Sequence, residues 1–217
     1  MEKNNIVGLI VTSIVCLLPI CLSFAVYGDL PEQLVMQWNL EGNPNWYAPK
    51  AIGAFGLPLF LLGLNIIINL VVYRYPKREN ISKAMQIFMN WLIPILSLAI
   101  VPLFLLINLG SELPIKMIVF ILVGIVFIFI GNYLPKNRQN VIAGIRISWT
   151  LNNNENWNKT HRLAGFLWII GGILFIIIAF LPLNNIVGII IILTILLVTI
   201  IVPIIYSFTL HKRGKAN

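Results

Sequence analysis

Six long apolar runs, none of which contains a charged residue or a histidine, constrain this chain more than any other feature. Each run is as long as the roughly 17–25 residues that a helix needs to cross a bilayer. The alternating pattern of a β-barrel is absent, which leaves helices as the only structure that can satisfy the backbone within lipid. The sequence therefore predicts an all-α polytopic membrane protein with six transmembrane helices. The predicted spans are Ile6–Tyr27, Ala51–Tyr73, Met85–Leu109, Met117–Leu134, Leu163–Leu183 and Ile186–Leu210.

Composition excludes most other classes of protein. Hydrophobic residues make up 59% of the chain and charged residues only 10%, whereas soluble domains carry about 25% charged residues. Two cysteines in 217 residues cannot build a disulfide framework. A soluble enzyme, a disordered chain and a disulfide scaffold are therefore poor interpretations.

Lysine and arginine are distributed very unevenly over the connecting segments. With the N-terminus placed inside, thirteen of the fifteen basic residues fall in inner segments, and only Lys50 and Lys116 lie outside. Loops rich in lysine and arginine stay on the cytoplasmic side of a membrane. We therefore predict an N-in, C-in topology. The net charge of +8 follows from this signal and does not indicate binding to nucleic acid.

The first apolar run also invites comparison with a secretory signal peptide. Ser23–Ala25 resembles a small-residue cleavage site, but the run is longer than the 7–15 apolar residues typical of a signal peptide. We expect this segment to be retained as a membrane anchor.

Two connecting segments are long enough to form a specific structure. The outer loop covers residues 28–50 and the inner loop residues 135–162. Both are shorter than the roughly 40 residues that a separate soluble core requires, so each should fold against the membrane or the helices. We predict one transmembrane domain over residues 1–217, with an N-terminal two-helix unit at 1–75 and a second region at 115–185.

The outer loop combines turn-forming residues with aromatic and acidic side chains. Trp38, Trp46 and Tyr47 lie between prolines and close to Glu32 and Glu41. One interpretation is an aromatic belt at the membrane interface. The other is a binding surface, because rigid aromatic side chains beside carboxylates suit a cationic amphipathic peptide.

The inner loop should contain the start of the fifth helix. Thr150 or one of the residues 152–154 can cap this helix, and Glu155 and Lys159 are spaced as an i,i+4 ion pair. The cationic loop could anchor to anionic lipid head groups or serve as a docking platform for a cytoplasmic partner. The spacing also places four residues on one stripe: Trp157, His161, Ala164 and Trp168.

Residues that support familiar membrane chemistry are missing from the spans. Asp29 is the only aspartate, so no intramembrane aspartyl pair exists. His161 and His211 lie outside the predicted spans, and no clustered metal ligands occur. Ion-coupled transport normally uses an ionisable residue within a span. We therefore expect no cofactor and no catalytic activity, with a membrane enzyme or a transporter of a peptide or small molecule as the alternative.

Two parts of the chain contain distinctive sets of residues. The inner set is Gly131–Lys136, Asn140, Gly144–Arg146, Trp149–Leu151, Trp157, Lys159-Thr160, Arg162 and Gly165. The N-terminal set is Leu30-Pro31, Trp38-Asn39, Gly42, Pro44 and Lys50. With its set, the inner loop resembles the SdpI family. The N-terminal region resembles the small membrane domain of unknown function that often precedes the SdpI signature, although Gln37 replaces the His that commonly stands before its Trp-Asn pair.

This resemblance implies a function that the residues alone do not. SdpI-type proteins are bacterial plasma-membrane immunity proteins that protect a cell from a secreted toxic peptide. Some are also receptors that hold a cytoplasmic autorepressor at the membrane. The expected partners are membrane lipids, a toxin peptide and a repressor protein, without direct contact to nucleic acid. The candidate toxin-binding residues are Glu32, Trp38, Asn39, Glu41, Trp46 and Tyr47. The candidate inner-loop residues are Asn132, Pro135, Asn140, Gly144, Arg146, Trp149, Trp157, Lys159 and Arg162.

Overall fold

A computed structural model describes residues 3–39 and 43–216, which are mostly helical. Within these residues, six helical segments are long and apolar enough to cross a membrane. The predicted fold class is thereby confirmed, while the N-in, C-in orientation stays a prediction. The six segments are Lys3–Val26, Ile52–Arg74, Lys83–Asn108, Ile115–Lys136, Asn154–Ala179 and Asn185–Arg213.

The chain divides into two compact units. Unit 1 comprises residues 1–76 and 86–113, and unit 2 comprises residues 77–85 and 114–217. The predicted two-helix unit at 1–75 thus falls within unit 1, which also contains most of the third span. That the whole chain folds as one domain stays a prediction.

Unit 1 is built from helices α1 to α4. Helix α1 (Lys3–Leu17) gives way to α2 (Pro19–Val26) at a proline, which cannot continue the backbone hydrogen bonds of the preceding turn. A wide helical turn at Ile52–Gly56 leads into α3 (Leu57–Arg74), and α4 covers Lys83–Asn108. Two prolines, Pro94 and Pro102, lie inside α4.

Buried polar side chains connect the helices of unit 1, as intramembrane Asn and Ser residues are expected to do. The Asn65 amide donates to the Thr12 hydroxyl over 3.4 Å, which links α3 to α1. The Ser97 hydroxyl donates to the carbonyl of Cys16 over 2.8 Å and links α4 to α1.

A β-hairpin between α2 and α3 is the one departure from an all-helical description of the described residues. Strands β1 (Gln33–Trp38) and β2 (Pro44–Pro49) are antiparallel, and the pairing is irregular near Gln37. Leu34 is fully buried in the apolar core of unit 1, where it packs against Gly53. The hairpin is therefore attached to the helices through a side chain in its first strand.

Unit 2 is built around the closely packed helices α5 (Ile115–Tyr133) and α7 (Asn154–Ala179). A Cβ atom on Gly131 would lie 2.7 Å from the Gly165 carbonyl oxygen, and one on Gly124 would lie 2.6 Å from that of Gly172. These two pairs of glycines thus permit the backbones of α5 and α7 to approach closely, as small residues do between other packed membrane helices. The short helix α6 (Ser148–Leu151) and the long α8 (Asn185–Ala216) complete this unit.

Candidate functional site

Two surfaces contain the predicted functional residues: the hairpin of unit 1 and a folded cap in unit 2, which we define as residues 134–162. The hairpin is held from both of its strands. The Asn108 side chain accepts the N–H of Val35 over 2.7 Å and donates to its carbonyl over 3.3 Å. Together with buried Leu34 and Ala48, these bonds fix the hairpin to the end of α4.

The aromatic residues of β2 project from this fixed support. Trp46 is 54% exposed and Tyr47 is 48% exposed, whereas Trp38 on β1 is half-buried. Exposed aromatic side chains on a rigid backbone lose little conformational entropy when they bind a partner. Either a membrane interface or a peptide could use this surface.

The exposed charge at the end of the hairpin, before β1, is negative. The Glu32 side chain is 94% exposed, and Asp29 is exposed as well. The nearby Lys50 side chain is only 13% exposed, lies 3.9 Å from Glu32 and sits over the Tyr27 ring. Because the cation is partly shielded and the carboxylates are not, this end of unit 1 suits a positively charged ligand.

Asn39 directly follows the first strand of the hairpin. Asn39 is exposed and closes the turn, since its side-chain oxygen accepts the N–H of Asn43 over 2.9 Å. Glu41 lies outside the described residues. The structure thus brings Trp38, Asn39, Trp46 and Tyr47 together on one hairpin, with Glu32 next to its first strand.

In the cap, the aromatic residues are buried instead of exposed. Trp157 is 1% exposed, and its indole N–H donates to the carbonyl of Asn137 over 2.9 Å. The His161 ring stacks on Trp157 with ring centroids 3.8 Å apart. These two residues of the predicted stripe therefore form the interior of the cap.

His161 holds the preceding loop against α7. Its Nε2 accepts the N–H of Ile145 over 2.9 Å, so the ring carries its proton on Nδ1, which donates to the Trp157 carbonyl over 2.8 Å. This arrangement requires a neutral ring, because a second proton on Nε2 would face an amide proton.

Gly144 is required where the loop passes over this aromatic pair. Its φ is +133°, and a Cβ atom there would collide with His161 Nε2 and lie 3.1 Å from Trp157. Only glycine combines this conformation with so close an approach. Gly144 is thus a packing residue of the cap.

Side-chain hydrogen bonds shape the rest of the loop. Asn140 is buried, and its Oδ1 accepts the N–H groups of Ile142 and Ala143 over 2.9 and 2.7 Å. The Thr150 hydroxyl donates to the Ile145 carbonyl over 2.7 Å. Asn153 caps α7 by accepting the N–H of Asn156 over 2.8 Å, as predicted for residues 152–154.

The segment 77–85 is bonded to the cap. The N–H of Arg138 donates to the Asn80 carbonyl over 2.7 Å, and the Asn80 amide donates to the Gln139 carbonyl over 2.8 Å. The N–H of Ser82 donates to the Asn137 side chain over 2.9 Å. The link between the second and third spans is therefore part of the cap fold.

The remaining candidates lie at the cap surface or its edges. Trp149 packs against Phe208 and His211 of α8, with ring centroids 5.5 and 5.9 Å apart. Asn132 is exposed, and Pro135 packs against Gly165. Exposed cations surround the cap, and the predicted Glu155–Lys159 ion pair is present. These exposed cations are Lys136, Arg138, Arg146, Lys159, Arg162, Lys212 and Arg213.

Sequence reasoning missed two residues that organise the cap. Asn137 receives both the indole of Trp157 and the N–H of Ser82, and nothing in its local pattern signals this. Asn156 donates to the Ser207 carbonyl over 2.9 Å and accepts from the Thr160 hydroxyl over 3.0 Å. For Asn156, the i,i+4 spacing of two polar residues on α7 was the available signal.

Comparison with known proteins agrees with this division of the chain. Residues 136–207 match the SdpI/YfhL protein family, and residues 14–62 match the domain of unknown function DUF1648. The Immunity protein SdpI of Bacillus subtilis (strain 168) is 29% identical over 219 residues, covering 97% of both chains. No solved structure matches the chain. The first match contains most of the cap together with α7 and much of α8, and the second contains the hairpin.

Proposed function

We propose that this chain protects a bacterial cell from a secreted, membrane-active toxin peptide by binding that peptide, because residues 136–207 match the SdpI/YfhL family and the chain is similar over its length to an immunity protein. The observation that supports this most strongly is the full-length similarity to an immunity protein. The hairpin provides the surface. Exposed Trp46 and Tyr47 stand on a fixed backbone, and the hairpin is preceded by the exposed carboxylates of Asp29 and Glu32. This combination suits a cationic amphipathic peptide.

Cell survival tests this proposal. The chain is produced in a toxin-sensitive bacterium, its membrane level is measured, and the cells are challenged with an SdpC-type toxin peptide. We expect the wild-type chain to protect and Trp46→Ala to lose most of the protection at an unchanged membrane level. Failure of the wild-type chain to protect would contradict the proposal.

A matched variant separates toxin binding from a general need for exposed aromatics. Phe60 on α3 is also strongly exposed and belongs to the same unit, but it lies within an apolar span. Phe60→Ala should keep full protection. Equal losses in Phe60→Ala and Trp46→Ala would show that the hairpin has no special role.

We propose signalling as a second function, because the cap presents a folded basic surface. Arg146 and Arg162 are exposed on it, and the Arg146 guanidinium donates to the Val141 carbonyl over 2.7 Å, which holds its side chain across the loop. With the predicted topology, this surface faces the cytoplasm, where it suits an acidic partner protein such as a repressor.

Co-purification tests the second function. The tagged chain is isolated from its host with and without toxin, and bound proteins are identified by mass spectrometry. A DNA-binding protein should be recovered with toxin and lost in an Arg146→Gln, Arg162→Gln double variant. Recovery of no such protein under either condition would remove signalling and leave immunity untouched.

A further inference from the structure

The backbone of the hairpin has one edge that is occupied and one that is open. The N–H and carbonyl of Val35 both bond to the Asn108 side chain, so they point away from β2. Val35 lies opposite Tyr47 in the antiparallel register. Val35 and Tyr47 are therefore a non-hydrogen-bonded pair, in which the N–H and carbonyl of each residue point away from the other strand. The N–H and carbonyl of Tyr47 therefore face away from β1.

A second contact fixes the same alternation independently. The N–H of Lys50 donates to the Glu32 carbonyl over 2.9 Å, so Lys50 faces β1. Because the direction of the backbone groups alternates along the strand, those of Pro49 point away from β1, those of Ala48 point toward it and those of Tyr47 point away again. Pro49 fits this position, because a proline has no N–H to give to β1.

The outer edge of β2 is short and accessible. Within the described residues the sheet has two strands, and Trp46, Tyr47 and Pro49 are all exposed. Pro44 and Pro49 stand at the two ends of β2. Prolines on an edge strand limit uncontrolled pairing between sheets. Between the two prolines of β2, the N–H and carbonyl of Tyr47 can form hydrogen bonds with an added strand, together with the carbonyl of Pro49.

The aromatic residues on this edge, and the charges at the end of the hairpin where Glu32 lies opposite Lys50, identify what could pair with it. Glu32 and Asp29 are exposed, while Lys50 is shielded against Tyr27. A strand added next to β2 would place its side chains beside Trp46 and Tyr47, where cross-strand aromatic contacts form. We propose that an extended, cationic segment of the toxin peptide adds to the edge of β2 as a third strand. This proposal rests on the proposed immunity function.

Two variants at one position isolate the backbone contribution. Tyr47→Ala removes the ring and keeps the N–H, whereas Tyr47→Pro removes both and leaves the bonds between β1 and β2 in place. Binding of a synthetic SdpC-type toxin peptide is measured for each variant in nanodiscs. We expect Tyr47→Pro to bind about tenfold more weakly than Tyr47→Ala, the effect of one lost backbone hydrogen bond. Equal affinities of the two variants would overturn the proposal.

Hydrogen exchange on the unaltered chain provides a measurement that does not depend on the folding of a variant. The Tyr47 amide should exchange at least about tenfold more slowly when the toxin peptide is bound, because a hydrogen-bonded amide is protected. If the peptide binds and Trp46→Ala abolishes binding, but Tyr47 exchange is unchanged, then the added strand is wrong and toxin binding by the hairpin stands. If the peptide does not bind the wild-type chain, both proposals fail.

Discussion

The hairpin and the cap use the same kinds of residue for opposite purposes. On the hairpin, Trp46 and Tyr47 are exposed, while the hydrogen bond of Val35 to Asn108 and the buried Leu34 fix the hairpin to the helices. In the cap, Trp157 is buried, stacked on His161 and bonded to the loop around it. The aromatic residues of the cap are used to fold it, and those of β2 remain available to a partner.

This difference changes how the signature of the inner loop is understood. Asn140, Gly144 and Trp157 are among its most distinctive residues, and each one fixes the path of the loop. The exposed members include Asn132, Lys136, Arg146, Lys159 and Arg162. The signature thus describes mainly a folded scaffold, and any partner of the cap must recognise the cations on its surface.

The largest expected contrast is in stability. Trp157→Ala removes a buried ring and should lower the free energy of unfolding by about 3–5 kcal/mol. Trp46→Ala removes an exposed ring and should change it by less than about 0.5 kcal/mol. Denaturant unfolding in detergent measures both, and similar losses in the two variants would contradict the contrast.

A substitution at Gly144 should disturb the cap next most strongly. Gly144→Ala forces an alanine into positive φ against His161, which should cost about 1–3 kcal/mol. A Cβ atom added at Gly63 would meet none of the described residues within 4 Å, so Gly63→Ala is the matched control and should not destabilise the chain. Thermal unfolding compares them, and a stable Gly144→Ala variant would show that the loop path is not fixed there.

Loss of Asn108 should affect the hairpin and spare the cap. Asn108→Ala removes two bonds to Val35 and should release the hairpin at a local cost of about 1–2 kcal/mol. Limited proteolysis should then cut within 33–49 faster, and protection against toxin should fall. Asn132→Ala, which removes an exposed side chain in unit 2, is the control. Unchanged proteolysis in Asn108→Ala would mean that other contacts hold the hairpin.

The smallest effect is expected at the ion pair on the cap surface. Glu155 and Lys159 are both exposed, and such pairs are screened by water and salt. Glu155→Gln should leave the unfolding midpoint unchanged at high salt and nearly unchanged at low salt. A clear loss of stability at high salt would show that the cap depends on surface charge as well as on its buried residues.

The helices could be predicted from the sequence because charge-free length determines them almost alone. The N-terminal capping of α7 by Asn153 and the i,i+4 ion pair on this helix could be predicted from local spacing. The hairpin could not be predicted in this way, because the alternation in residues 33–38 is short. The hairpin is also held by Asn108, some seventy residues later in the chain. The burial of Trp157 could not be predicted for the same reason, because Asn137 and Gly144 are distant from it in the sequence and contact it only in the folded chain.

Contact of the toxin with the hairpin, and not with the cap, is the central claim. A photo-crosslinking amino acid is placed at Trp46 in one variant and at Trp149 of the cap in another, and SdpC-type toxin peptide is added to intact cells. We predict a crosslink to the peptide from position 46 and none from position 149. A crosslink from position 149 alone, or from neither position in protected cells, would contradict this claim.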